Sequence, residues 1–156
     1  MRGYEGLTPI IAIPGFSEPI SCWTHLLAAG VFAIAAFWLL RRGRGDVGRM
    51  LALSIYVFGV LFVFSMSGTF HLLEPGRTPH TVLLHLDHAA IWFQIAGTLT
   101  PIHFIMFKGL WRWLFLTILW AAAITGMTLK TIYFQDIPES ASLSMYLAIG
   151  WMGGIS

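Results

Sequence analysis

From Pro19 to Leu40 the chain carries no charged side chain, and from Met50 to Leu73 it again carries none. At about 1.5 Å rise per residue, either run crosses the ~30 Å hydrocarbon layer of a bilayer as a helix. Inside that layer every backbone polar group must be paired within the protein, which leaves helices or a closed barrel as spanning structures. Uninterrupted apolar runs of this length choose helices. The residue balance agrees: 57% hydrophobic, 10% charged and a mean hydropathy of +0.77 describe a membrane protein, not a soluble domain. The first run is longer than the apolar core of a signal peptide, has no basic run immediately before it and leads into a basic loop without a clear cleavage site, so it is expected to be retained.

The whole chain, 1–156, reads as one all-α membrane-embedded domain, a polytopic helical bundle. Residues 1–18 form an irregular lead-in whose apolar piece, Leu7 to Ile13, is too short to span and is broken by Pro9; it is expected at the interface. The expected spans are 19–40, 50–73, 82–107 and 110–129, with an incomplete fifth at 143–156. Between them lie the basic loop Arg41 to Asp46, a Pro75-Gly76 turn, the tight Lys108-Gly109 link and a connector, Lys130 to Ser142, broken at Pro138. Pro101 predicts a kink over residues 97–101. The fifth segment has 14 residues and would extend about 21 Å, so the chain is expected to be a piece of a longer protein; a short re-entrant end is the alternative. Cys22, the single cysteine, excludes an internal disulfide and is expected as a small packing residue. Ala96-Gly97-Thr98 and Gly30 are expected where helices approach closely. A net charge of +2, confined to loops, gives no reason to expect nucleic acid; membrane lipids are the expected partners.

Polar, metal-capable side chains gather at one end of the bundle. Successive helices alternate in direction, so Glu18, His25, Ser67, His71, Asp87 and His88 share a level. Ser67 and His71, four apart, occupy one face of the second span, and His85 and His88, three apart, do the same on the third. Ionisable groups in a bilayer are costly and mark functional sites by default. Imidazole and carboxylate together suit zinc, which lowers the pKa of bound water to about 7 and so makes a nucleophile for acyl or amide cleavage. Each residue also has a structural reading. His71 can cap the last carbonyls of its helix, Asp87 can neutralise Arg77 or cap the third span, and Ser67 can bond a neighbouring helix. His25 is expected as a packing hydrogen-bond partner, with a place in the polar chamber as the alternative, His80 and His85 as interfacial, and His103 at the far end, away from the site.

Glu18-Pro-Ile-Ser with Thr24-His25-Leu26, then Ser67-Gly-Thr-Phe-His71, then Leu86-Asp87-His88 running into Ile95-Ala-Gly-Thr-Leu-Thr-Pro101, in this order and spacing, resemble the hemolysin III family. These are bacterial relatives of the adiponectin and progestin receptors. The resemblance implies a seven-helix architecture, about five spans of which are present here, holding one zinc ion. His71 matches the family's zinc ligand on the second helix, and Ser67 and Asp87 match its polar partners. The receptors' site is associated with ceramide-type amide hydrolysis, and the bacterial members are named for haemolysis. The chain departs from the pattern in three places. The His-x-x-x-His element that supplies the family's other two ligands is absent, Phe70 replaces a tyrosine, and Ser21 stands where asparagine is common.

Three functions follow as expectations. The first is a zinc-dependent hydrolase of a lipid amide or acyl bond, with His71 on the metal, Asp87 steadying its water, and Ser67 bonding that water or the substrate oxygen. The second is a receptor or homeostasis protein in which zinc only ties helices. The third is a cytolytic pore, disfavoured by spans with little polar lining. The localisation expected is a bacterial inner or plasma membrane. Six basic residues (Arg41, Arg42, Arg44, Arg49, Lys108, Arg112) fall on one side against Arg2, Arg77 and Lys130 on the other, so the positive-inside rule puts the amino terminus and polar cluster outside.

Overall fold

The computed structural model describes residues 18–73 and 78–155, and among them every regular element is an α-helix. The elements are α1 (Pro19–Arg41), α2 (Val47–Phe70), α3 (Thr78–Met106), α4 (Gly109–Ile132) and α5 (Glu139–Ile155). The first four are long and apolar enough to cross a membrane. At 17 residues, α5 extends about 25 Å. The lead-in at Leu7 to Ile13 and the turn at Pro75-Gly76, with Arg77, lie outside the described residues.

The helix ends follow local chemistry. At the start of α2, Asp46 is extended and its Oδ1 accepts the Arg49 backbone N–H at 2.9 Å, so the helix begins at Val47, three residues before the uncharged run. At its end His71 is the cap residue, its N–H bonded to the Ser67 carbonyl at 3.1 Å. Pro79 sits in the first turn of α3, where a missing N–H leaves nothing unpaired. α3 remains helical through Pro101 to Met106. The α3–α4 turn is two residues long and uses Gly109 at φ +64°, a left-handed conformation that favours glycine.

α3 is the hub. It packs against α2, α4 and α5, whereas α1 touches only α2 among the described elements. Half of the most apolar window of α3 is buried, against 11% for α1. The core joins Trp92, Ala96 and Leu99 of α3 to Leu116, Leu119 and Ala123 of α4 and Ile149 of α5. Trp92 fits because Gly126 of α4 has no side chain; a Cβ there would collide with the indole ring. Ala96 and Gly97 are buried, as expected of small contact residues, and Cys22 is buried in the α1 interface at 1% exposure. Gly30 is a correction: a Cβ there would meet nothing within 4 Å, because this face of α1 turns outward and packs on no helix.

Candidate functional site

The start of α1 and the end of α2 are tied by backbone, Glu18 N–H donating to the His71 carbonyl at 3.0 Å. This places the Glu18 Oε2 3.0 Å from His71 Nδ1. The pair is close enough for charge attraction, but its angle is not that of a hydrogen bond, so His71 Nδ1 is buried without a hydrogen-bond partner. Ser21 Oγ donates to the same Glu18 oxygen at 3.3 Å. One turn into α1, the His25 ring stacks on His71 with centroids 5.6 Å apart and planes within 8°. His25 Nδ1 is likewise buried and without a hydrogen-bond partner. His25 was expected as a packing hydrogen-bond partner; it belongs instead to the polar chamber around His71, because the α1–α2 contact turns its ring onto that histidine.

The third helix aims its polar groups elsewhere. His88 Nδ1 lies 2.9 Å from the Leu84 carbonyl, and its ring meets Phe134 edge-on at 4.9 Å. His85 stacks on the same Phe134 at 4.3 Å. Phe134 belongs to the α4–α5 connector, which is held by Lys130. The Lys130 ammonium is buried, donates to the carbonyls of Phe134 and Ile137 at 3.5 and 3.2 Å, and lies 4.7 Å from the Phe134 ring. Asp87 is half-buried and lies near Tyr146 of α5. Tyr146 meets Trp92 edge-on at 4.8 Å, and the Trp92 Nε1, Tyr146 hydroxyl and Ser142 hydroxyl are buried without hydrogen-bond partners. The structure thus brings Glu18, His25 and His71 together. Among the described residues no side-chain hydrogen bond or ion pair joins Ser67 or Asp87 to His71; Ser67 meets it only through the backbone bond of the helix end. His80 lies against Phe70 at 4.6 Å, and His103 is buried at the opposite end.

Zinc accepts imidazole nitrogen and carboxylate oxygen, so Glu18, His25 and His71 are donors of the right kind. Among the described residues, however, no three His, Cys, Asp or Glu side chains are placed to hold a metal ion. Stacked imidazoles direct their in-plane lone pairs past one another, which is one physical reason. The described groups fit the part of one ligand, His71 with its unbonded Nδ1, and not a complete site. Glu18 as the partner of His71, and Tyr146 near Asp87, were not assigned those places from sequence. The visible trace of the first is the Glu18-Pro19 start of α1, level with the end of α2.

A model of the Haemolysin-III related family matches residues 16–156. The chain is 28% identical to Hemolysin-3 of Bacillus cereus over 108 residues, covering 69% of this chain and 48% of the relative. It is 30% identical to the Hemolysin-3 homolog of Bacillus subtilis (strain 168) over 108 residues, covering 69% and 50%. The chain therefore spans about half the length of the curated relatives it matches. No solved structure matches it.

Proposed function

The chain belongs to the haemolysin-III-related family of multi-pass membrane proteins, and from that premise we propose that it forms part of a membrane-embedded, zinc-dependent hydrolase of a lipid amide or related acyl bond. The observation that carries this reading is the His71 imidazole, whose Nδ1 is buried at the end of α2 without a hydrogen bond and beside a carboxylate. A buried nitrogen without a hydrogen bond, beside a carboxylate oxygen, calls for an explanation, and a cation that accepts both as donors is one. His71 would be one ligand of zinc, the remainder coming from beyond the described residues. Bound zinc supplies a water acidic enough to ionise near neutral pH.

The chain's own residues do the rest of the work that can be assigned. The Glu18 backbone N–H, bonded to the His71 carbonyl, fixes the end of α2 from across the α1–α2 contact. Ser67, one turn before His71 on the same face of α2, offers a hydroxyl to a substrate oxygen or to water. Asp87 brings a carboxylate at the same level from α3, able to hold a proton or orient water.

The direct test compares metal content of the whole protein, wild type against His71→Ala. Near-stoichiometric zinc should fall to background in the variant, and unchanged zinc would remove the ligand assignment. Turnover of a lipid-amide panel should be lost in Asp87→Asn with zinc retained. A second reading, zinc as a tie between helices, draws on the lack of any side-chain bond from Asp87 or Ser67 to His71. It wins if Asp87→Asn lowers only thermal stability and no amide is cleaved.

A further inference from the structure

A cavity lies at the other end of the bundle, where α3 turns into α4. It measures about 350 Å³ and is lined by His103, Phe107, Lys108, Trp111 and Phe115. Its floor is rigid: His103, only 1% exposed, stacks on Phe115 at 3.6 Å and on Phe107 at 5.0 Å. Its back wall is fixed by Arg112, whose Nε donates to the Phe107 carbonyl at 2.7 Å while its guanidinium lies 4.5 Å from the Phe104 ring. Arg112 is thereby committed to the turn. Lys108, at the rim, is exposed and has no ion-pair or hydrogen-bond partner among the described residues. Beside it the Trp111 indole is 72% exposed, an amphipathic ring at the level where aromatic side chains meet lipid headgroups.

The surroundings set the sign of the ligand. This end carries Arg41, Arg42, Arg44, Arg49, Lys108 and Arg112, with Asp46 as its only acidic side chain among the described residues. Glu18, Asp87, Asp136 and Glu139 all lie at the other end with the site described above. A zwitterionic headgroup would bring its own cation into this positive field, whereas a phosphodiester with no balancing cation would not. A soluble anion would have to shed water against aromatic walls that offer it few donors, while glycerol and the first carbons of an acyl chain gain from that contact.

We propose that the α3–α4 cavity binds the phosphate and glycerol region of an anionic phospholipid, with Lys108 paired to the phosphate and Trp111, Phe107 and Phe115 against the apolar portion. A pocket of this size holds the headgroup and leaves the acyl tails along the outer faces of α3 and α4. The site is independent of His71 and of any metal, so it stands whether or not the hydrolase reading does.

The test is native mass spectrometry of the purified, delipidated whole protein, titrated with phosphatidylglycerol or phosphatidylcholine of identical acyl chains. Wild type should retain one phosphatidylglycerol in preference to phosphatidylcholine. Lys108→Gln should weaken phosphatidylglycerol binding about five-fold, the effect of one basic side chain at a membrane surface, and leave phosphatidylcholine unchanged. Trp111→Ala should weaken both lipids. Arg44→Gln removes an equal charge from the same end without touching the cavity, and should have the smaller effect. The proposal fails if Lys108→Gln changes nothing, or if Arg44→Gln matches it, which would mean diffuse attraction without a pocket. It also fails if millimolar inorganic phosphate displaces the lipid, which would make the cavity an anion site only.

Discussion

His71 ends α2 between two unlike neighbours, a carboxylate 3.0 Å from its Nδ1 and a stacked imidazole. Glu18 is 60% exposed, so water screens any attraction between the two side chains. The backbone bond from Glu18 to His71 therefore does more to fix the chamber than the charges do. A sharper single-residue determinant is Gly126, because a Cβ there would enter the Trp92 ring at the centre of the core. Gly126→Ala should cost about 1–3 kcal/mol through overpacking, read as a lower melting temperature in detergent. Gly30→Ala, facing open space inside a helix, should be neutral or stabilise by up to about 1 kcal/mol. Equal effects of the two would mean that Trp92 does not seat on Gly126. At this scale the sequence made part of the site legible. Ser67 and His71 stand out because a four-residue spacing and their depth in an uncharged run are both visible in the chain. The pairing with Glu18 and the stacking of His25 were not, since they depend on how α1 is rotated about its axis, and a helix that is apolar all round gives no stripe from which to read rotation.

The elements differ in how they are held. α2 has a side-chain cap at Asp46, α4 starts without one at Lys108, and the α4–α5 connector is gathered around a buried ammonium. Lys130 closes that connector by donating to two of its carbonyls and lying over Phe134, the ring against which His85 and His88 pack. Replacing it leaves those carbonyls without a donor, at about 1–3 kcal/mol. Lys130→Met should therefore raise amide hydrogen exchange across residues 133–138 while leaving α1 and α2 unchanged; uniform exchange would show that the connector does not depend on this lysine. The number and order of helices were readable from uncharged runs and proline-glycine breaks, because length against bilayer thickness is a strong constraint. Helix ends were less so. α2 starts at Val47 because an aspartate side chain can close a first turn, and α3 starts at Thr78 because proline is tolerated there, effects that hydropathy does not register.

Across the whole molecule, polarity is segregated along the bundle axis. α3, buried on several sides, carries Gln94, Thr98, Thr100 and His103 into the interior, where helix carbonyls and neighbours satisfy most of their polar atoms: Thr100 bonds Ala96 and receives the Trp120 indole, Thr98 bonds Gln94, and the Gln94 amide nitrogen donates to Thr98 while its Oε1 is buried without a hydrogen bond. α1, with little of its surface covered, carries almost none. The two ends then divide by charge, and the packing of the α2 start against Phe104 near the α3 end places their basic residues on one side of the membrane. Retention of short loops follows their lysine and arginine content and takes little account of acidic residues. Six basic side chains in the α1–α2 and α3–α4 segments should hold that side in the cytoplasm, with the His71 chamber facing outward. A reporter active only in the cytoplasm, inserted between Arg42 and Arg44, should be active, and the same reporter in the α4–α5 connector should be silent. The reverse pattern would place His71 near the cytoplasm and require any substrate to reach it from that side. Moving three of the six charges, as Arg41→Gln, Arg42→Gln and Arg44→Gln together, should weaken the bias and give mixed activity at both positions, since three basic residues would then remain there, no more than the three the sequence carries outside these two segments.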